Sequence, residues 1–140
     1  MAALNPYLNF SGNTEEAFEF YKSVFGGEFS MVMRYKDVPS EIPSPKTDPD
    51  KIMHIALPIG TDSVLMGSDI PESYGKVNNG NNISISINTE SEEEADKLYK
   101  GLTDGGKATM PMDKVFWGAY FGMCSDKYGI HWMVNHDLKK

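Results

Sequence analysis

Little in this chain is basic, almost nothing is sulfhydryl, and no stretch is long and apolar. Thirteen Lys and Arg stand against 20 Asp and Glu, for a net charge of −7, and Arg34 is the only arginine. That balance repels a phosphate backbone and offers no cationic cluster, so no nucleic-acid partner is expected. The same scarcity argues against a phosphonate site, which would call for several Arg or Lys. Cys124 is alone, which excludes an internal disulfide and a CxxC metal knuckle. With no adjacent Lys or Arg to lower its pKa, it reads as a small buried hydrophobe on a strand rather than a reactive thiol. No apolar run approaches the ~20 residues of a membrane span. The opening MAALNPY has neither a cationic nor an apolar leader segment, so the expectation is a cytoplasmic protein that does not enter membranes.

What is present is a repeat. The segment NPYLNFSGNTEEAFEFYKSVFGGE, from Asn5 to Glu28, returns more faintly as NISISINTESEEEADKLYKGLTDGGK, from Asn82 to Lys107. Glu16-Ala17 is matched by Glu94-Ala95, Tyr21-Lys22 by Tyr99-Lys100, and Gly26-Gly27 by Gly105-Gly106. In the first copy a short apolar strand, Pro6 to Phe10, leads into a helix from Thr14 to Phe25. Asn13 is placed to cap that helix with Glu16 reaching back, and Ala17, Phe18, Tyr21, Val24 and Phe25 form its apolar stripe. Glu28 to Lys36 alternates as a second strand. Lys51–Ile59 and Ser63–Ser68 flank the turn Gly60-Thr61-Asp62 as a hairpin. Four of the eight prolines fall between Asp37 and Asp50, which makes that segment an exposed loop or a lid, since proline denies ladder hydrogen bonds.

The second copy runs the same way. Asn81 to Asn88 alternates Ile83, Ile85 and Ile87 against Asn82, Ser84 and Ser86. Ser91 with Glu94 is a capping box, and Ala95, Leu98, Tyr99 and Leu102 make the stripe of the second helix. Strands follow at Ala108–Lys114, Ala119–Ser125 and Ile130–Asn135. The fold class is therefore α+β, two tandem βαβββ modules in one 140-residue domain. Module 1 covers about 1–70, a Pro/Gly/Asn-rich linker about 70–80, and module 2 about 81–136.

The blocks FYKSVFGGE, HIALPIGTDSVLMGSD and FWGAYFGMCSDKYGIHWMVN carry a resemblance over nearly the whole chain. It resembles the vicinal oxygen chelate superfamily of glyoxalase, bleomycin-resistance and dioxygenase-like proteins, and within it the PhnB-like group. The resemblance implies half-barrels enclosing a pocket, helices on the convex faces, and homodimers. Ile83, Ile85 and Ile87, with Ile130, Trp132 and Val134, would then pack outward. Asn82, Ser84, Ser86, His131, Met133 and Asn135 would face the cavity.

Active members of that superfamily hold a divalent metal that polarises a substrate oxygen pair. The corresponding positions here fall at or beside Asn5, at Leu65 or Met66, at Asn82 and at Met133. Amides and thioethers do not make the usual O/N site, so no metal ligand is assigned and no cofactor is expected. A divalent metal on a non-standard ligand set is the alternative. His54 and His131 lie on strands and have two readings, a hydrogen-bonded core histidine or a ligand or general base; His136 reads as solvated. Phe116, Trp117 and Tyr120 either line the pocket with Met33 and Tyr35 or serve as core or dimer contacts. The leading expectation is a small-molecule-binding protein that uses no metal. The alternatives are a metal-dependent lyase, isomerase or dioxygenase, or metal-free acid/base chemistry on His54 or His131. Some PhnB-like domains resemble sequences labelled demethylubiquinone methyltransferases. The junction Phe10-Ser11-Gly12-Asn13-Thr14 has one glycine, not the glycine-rich loop of common S-adenosylmethionine enzymes.

Overall fold

A computed structural model of the chain describes residues 2–42 and 47–138. They form two compact units, Met1–Asn78 and Asn79–Lys140. Unit 1 contains β1 (Tyr7–Phe10), α1 (Thr14–Phe25), β2 (Met31–Arg34), β3 (Ile52–Ile59) and β4 (Ser63–Asp69). Unit 2 contains β5 (Ile85–Asn88), α2 (Glu92–Thr103), β6 (Lys107–Val115), β7 (Ala119–Ser125) and β8 (His131–Asp137). The sheets have the orders β1-β4-β3-β2 and β5-β8-β7-β6, so the second repeats the first element for element. In each, the first strand runs parallel to the last and the other pairings are antiparallel. No helix among the described residues is long and apolar enough to cross a membrane.

Each helix buries its apolar stripe on one face of its own sheet. In unit 1, Ala17, Phe18 and Tyr21 are fully buried, and Phe18 meets Phe10 and Tyr21 edge-on at 6.3 and 5.5 Å. Burying a ring of that size stabilises the fold by about 2–3 kcal/mol. The helix sits close because β4 offers Gly67, where a Cβ would lie 2.7 Å from the Phe18 ring. In unit 2, Ala95, Leu98 and Leu102 are buried over β7 and β8, with Trp132, Val134 and Cys124 beneath. Tyr99 spans the sheet, its hydroxyl hydrogen-bonded to the Met110 and Met123 carbonyls at 2.9 and 3.1 Å.

The helix starts differ in origin. Ser91 caps α2 as expected, its Oγ accepting from the Glu94 N–H at 3.0 Å, while Glu94 reaches back to the Glu90 N–H at 2.8 Å. Asn13 makes no side-chain cap on α1. That work passes to Asp69 at the end of β4, whose Oδ1 accepts from the N–H groups of Gly12 and Thr14 and from the Thr14 hydroxyl at 2.9, 3.0 and 2.7 Å. A carboxylate matches those donors and the positive helix N-terminus better than an amide.

Two expected strands are shorter than the sequence pattern suggests. The second strand stops at Arg34, not Lys36, because the Arg34 N–H turns to Asp37 Oδ2 and residues Tyr35–Asp37 close into a 3-10 turn. The fifth strand begins at Ile85 rather than Asn81. Its partner β8 starts at His131, opposite the residue before Ile85, so nothing remains for earlier residues to pair with. Ile83 is accordingly 76% exposed and does not pack under α2. Of the proline-rich segment, Pro43 and Pro45 lie outside the described residues.

Candidate functional site

Cross-strand partners share a face of a sheet, and that face alternates along each strand. The register of unit 1 pairs Tyr7 with Met66, Met66 with Ala56, and Ala56 with Met31; two residues along, Asn9 pairs with Ser68 and Met33 with His54. The opposite face, with Leu8, Phe10, Leu65 and Gly67, is covered by α1. The face that no helix of unit 1 covers, called the uncovered face below, therefore presents Tyr7, Asn9, Met31, Met33, His54, Ala56, Met66 and Ser68.

Its polar groups are paired, and no carboxylate, lysine or arginine lies among them. The Tyr7 hydroxyl and His54 Nδ1 lie 3.2 Å apart, with the rings tilted at 5.6 Å. Since a phenol both donates and accepts, this contact leaves the His54 tautomer open. Ser68 Oγ donates to Asn9 Oδ1 at 3.4 Å. Three thioethers, Met31, Met33 and Met66, share that face, Met31 on the edge strand and exposed. Tyr35 lies beyond β2 in the 3-10 turn and donates to the Asp69 carbonyl at 2.8 Å; burial raises its pKa.

Unit 2 repeats the arrangement. Its uncovered face carries Ser86, Asn88, Phe121, Met123, Ser125, His131, Met133 and Asn135. Met133 occupies the register position of Met66, and Asn88 that of Asn9. Asn135 Nδ2 donates to Asn88 Oδ1 at 3.1 Å. Ser125 Oγ and His131 Nδ1 are 2.8 Å apart, and His131 Nε2 is 2.9 Å from the Gly80 carbonyl.

The residues expected from sequence thus divide. Met33, His54 and Met66 come together on one uncovered face, and His131 and Met133 on the other. Asn5 precedes β1 and is exposed, its Oδ1 accepting from the Val64 N–H at 3.1 Å. Asn82 and Ser84 precede β5 and are exposed. Tyr120 pairs with His136 on the helix-covered face, where it donates to Asp96 Oδ1 at 2.6 Å; that bond holds its pKa up at about 12. Phe116 and Trp117 form the β6–β7 turn, 96% and 51% exposed, with Trp117 against Phe121 at 5.7 Å. His136 is not simply solvated, since its Nδ1 donates to the Thr89 carbonyl at 3.0 Å. Cys124 is buried, and burial pushes its thiol up to about 11. Residues that sequence reasoning missed are Tyr7, Asn9, Met31 and Ser68 in unit 1 and Asn88, Phe121, Met123 and Ser125 in unit 2, visible only once the strand register is known.

The residues do not fit the metal that the superfamily implies. Among the described residues no three of His, Cys, Asp and Glu come together. The four corresponding positions offer two amides, one already bonded to a backbone N–H, and two thioethers, a poor set for a hard or borderline divalent ion.

A family model described as 3-demethylubiquinone-9 3-methyltransferase matches residues 2–135. The chain belongs to this PhnB-like family. The protein PA1353 of Pseudomonas aeruginosa is 37% identical to it, with a TM-score of 0.84 over 98% of each chain. A PhnB protein from Bacillus cereus is 25% identical, with a TM-score of 0.73 over 96% of this chain and 99% of that one. A glyoxalase/bleomycin resistance protein/dioxygenase family enzyme from Burkholderia phytofirmans, 16% identical, has a TM-score of 0.61 over 94% of this chain and 97% of its own. The PhnB-like chain therefore has the vicinal oxygen chelate fold, two βαβββ modules in tandem.

Proposed function

We propose that this PhnB-like chain is a small-molecule-binding protein that works without a divalent metal, and that its ligand is taken on the uncovered face of unit 1. The observation that carries this is the make-up of that face: three thioethers beside two hydrogen-bonded polar pairs, Tyr7–His54 and Asn9–Ser68, with no carboxylate, lysine or arginine among them. Methionine side chains adapt to irregular apolar shapes and meet aromatic rings well. Paired polar groups can exchange one bond for a ligand's without being left unsatisfied. The suited ligand has an apolar or aromatic body and one or two hydrogen-bonding groups, and the acidic chain favours a neutral or cationic one. The family description does not extend to this chain's chemistry: Gly12 is the only glycine of the β1–α1 turn, and its N–H is held by Asp69.

The test is a small-molecule thermal-shift screen on protein purified without chelators, with elemental analysis of the same sample. Hits should be weakened ~10-fold or more by His54→Ala and by Met66→Lys. Stoichiometric divalent metal, or hits indifferent to both substitutions, would overturn the proposal. A homodimer belongs to the same proposal, and light scattering at high micromolar concentration should give twice the chain mass.

A further inference from the structure

His54 and His131 differ in one respect that hydrogen-bond chemistry decides. The Gly80 carbonyl can only accept, so the bond to His131 Nε2 requires the proton on Nε2. In the neutral ring Nδ1 is then a lone pair, and the Ser125 hydroxyl, 2.8 Å away, must be the donor. Ser125 Oγ–H donates to His131 Nδ1, and His131 Nε2–H donates to Gly80 at 2.9 Å. That is a hydroxyl with a base against it and the base oriented by a third group, the arrangement from which a serine nucleophile is activated.

The setting allows use. Ser125 and His131 face each other on adjacent strands β7 and β8, so both side chains are held by the sheet rather than by a loop. They lie on the uncovered face, two residues from the cross-strand pair Met123 and Met133, and both are half-buried, within reach of solvent. The structural alternative is that the bond merely fastens the β7–β8 hairpin. That role is already filled by Asp126, which accepts from the N–H groups of Tyr128 and Ile130 at 2.8 and 3.1 Å and from Trp132 Nε1 at 2.8 Å.

We propose that Ser125 is a nucleophile toward acyl and phosphonyl electrophiles, activated by His131, with the Gly80 carbonyl as the positioning group. With an ester of an apolar acid, Ser125 Oγ bonds to the acyl carbon while its proton passes to His131 Nδ1. The bond from that carbon to the alcohol oxygen breaks, and the alcohol leaves with the proton from His131. Water, deprotonated by the same nitrogen, then displaces the serine oxygen, which recovers its proton. Nothing is oxidised or reduced.

The probe is an alkyl fluorophosphonate, which reacts by forming the Ser125 Oγ–P bond and expelling fluoride, the serine proton going through His131 to water. Intact-protein mass spectrometry should show one phosphonyl adduct, and peptide mapping should place it on Ser125. Ser125→Ala should abolish the adduct, and His131→Gln should slow it by about 10²-fold, the usual contribution of a general base. Circular dichroism and thermal unfolding would show both variants folded, and the mapping on unaltered protein decides the matter even if a variant fails to fold. No adduct, an adduct on another residue, or labelling unchanged in His131→Gln would overturn the proposal. An effect of Ser125→Ala on stability with no labelling of the unaltered chain would assign the pair to hairpin structure instead.

Discussion

Replacing Asp69 by asparagine should destabilise the protein by about 4 kcal/mol, although the two side chains are nearly isosteric. Asp69 is 2% exposed and accepts four hydrogen bonds: from Gly12 N, Thr14 N and Thr14 Oγ1 on one oxygen, and from Ile52 N on the other at 2.9 Å. These bonds join the start of α1, the start of β3 and the end of β4. Asparagine keeps one acceptor oxygen, so its amide N–H₂ must confront either the Ile52 N–H or the three donors on the helix side. In the milder case one charge-assisted bond is lost, about 1.5–3 kcal/mol, and a buried backbone N–H is left unpaired, about 1–3 kcal/mol more. The remaining bonds also lose the carboxylate's charge. Against a total stability of about 5–15 kcal/mol this is a large fraction. Urea unfolding followed by circular dichroism measures it, with the midpoint falling and the slope unchanged. Thr14→Ala removes only one of the donors and should cost about 1–2 kcal/mol. The double variant should fall short of the sum, since both act on one network. A loss below 1 kcal/mol for Asp69→Asn would refute the account of how α1 is capped.

Gly67→Ala places a Cβ 2.7 Å from the Phe18 ring and 2.8 Å from the Leu8 carbonyl oxygen; overpacking of this kind should cost about 1–3 kcal/mol in a thermal or urea melt. A neutral result would mean that α1 packs farther from β4 than described. Cys124, raised to about 11 by burial, holds its proton in the folded state at pH values where an unfolded thiol has lost it. Its contribution is therefore intact below about pH 9 and is lost as pH rises toward 11, on the order of 2–3 kcal/mol in all. Urea unfolding at pH 8 and pH 10.5 should show a steeper alkaline loss in the unaltered protein than in Cys124→Ala, and equal losses would contradict the burial.

What could be seen in the sequence was whatever depends on near neighbours. The stripe Ala17-Phe18-Tyr21, the capping pair Ser91 and Glu94, and the repeat of strand, helix and glycine stop are all local signals, and they yielded the βαβββ modules with both helices nearly in place. What stayed hidden depends on register. Asp69 is 55 residues from Thr14 in sequence, so the nearer Asn13 looked like the cap. Gly80 is 51 residues from His131, and a histidine on a strand carries no mark of which nitrogen is bonded. Tyr120 shows where a stronger local signal was available. Its aromatic character and closeness to Trp117 suggest a pocket residue, yet Gly122 and Cys124 share its parity. Small residues at alternate positions of a strand mark the face where a helix must come close: a Cβ on Gly122 would lie 2.6 Å from Met112 and 3.0 Å from Tyr99. Gly67 does the same for β4. Residue size along alternate positions therefore separates the covered face from the uncovered one better than polarity does, because a tyrosine can satisfy its hydroxyl at the edge of a helix, as Tyr120 does on Asp96, whereas no side chain fits where an aromatic ring of the helix already lies against the strand.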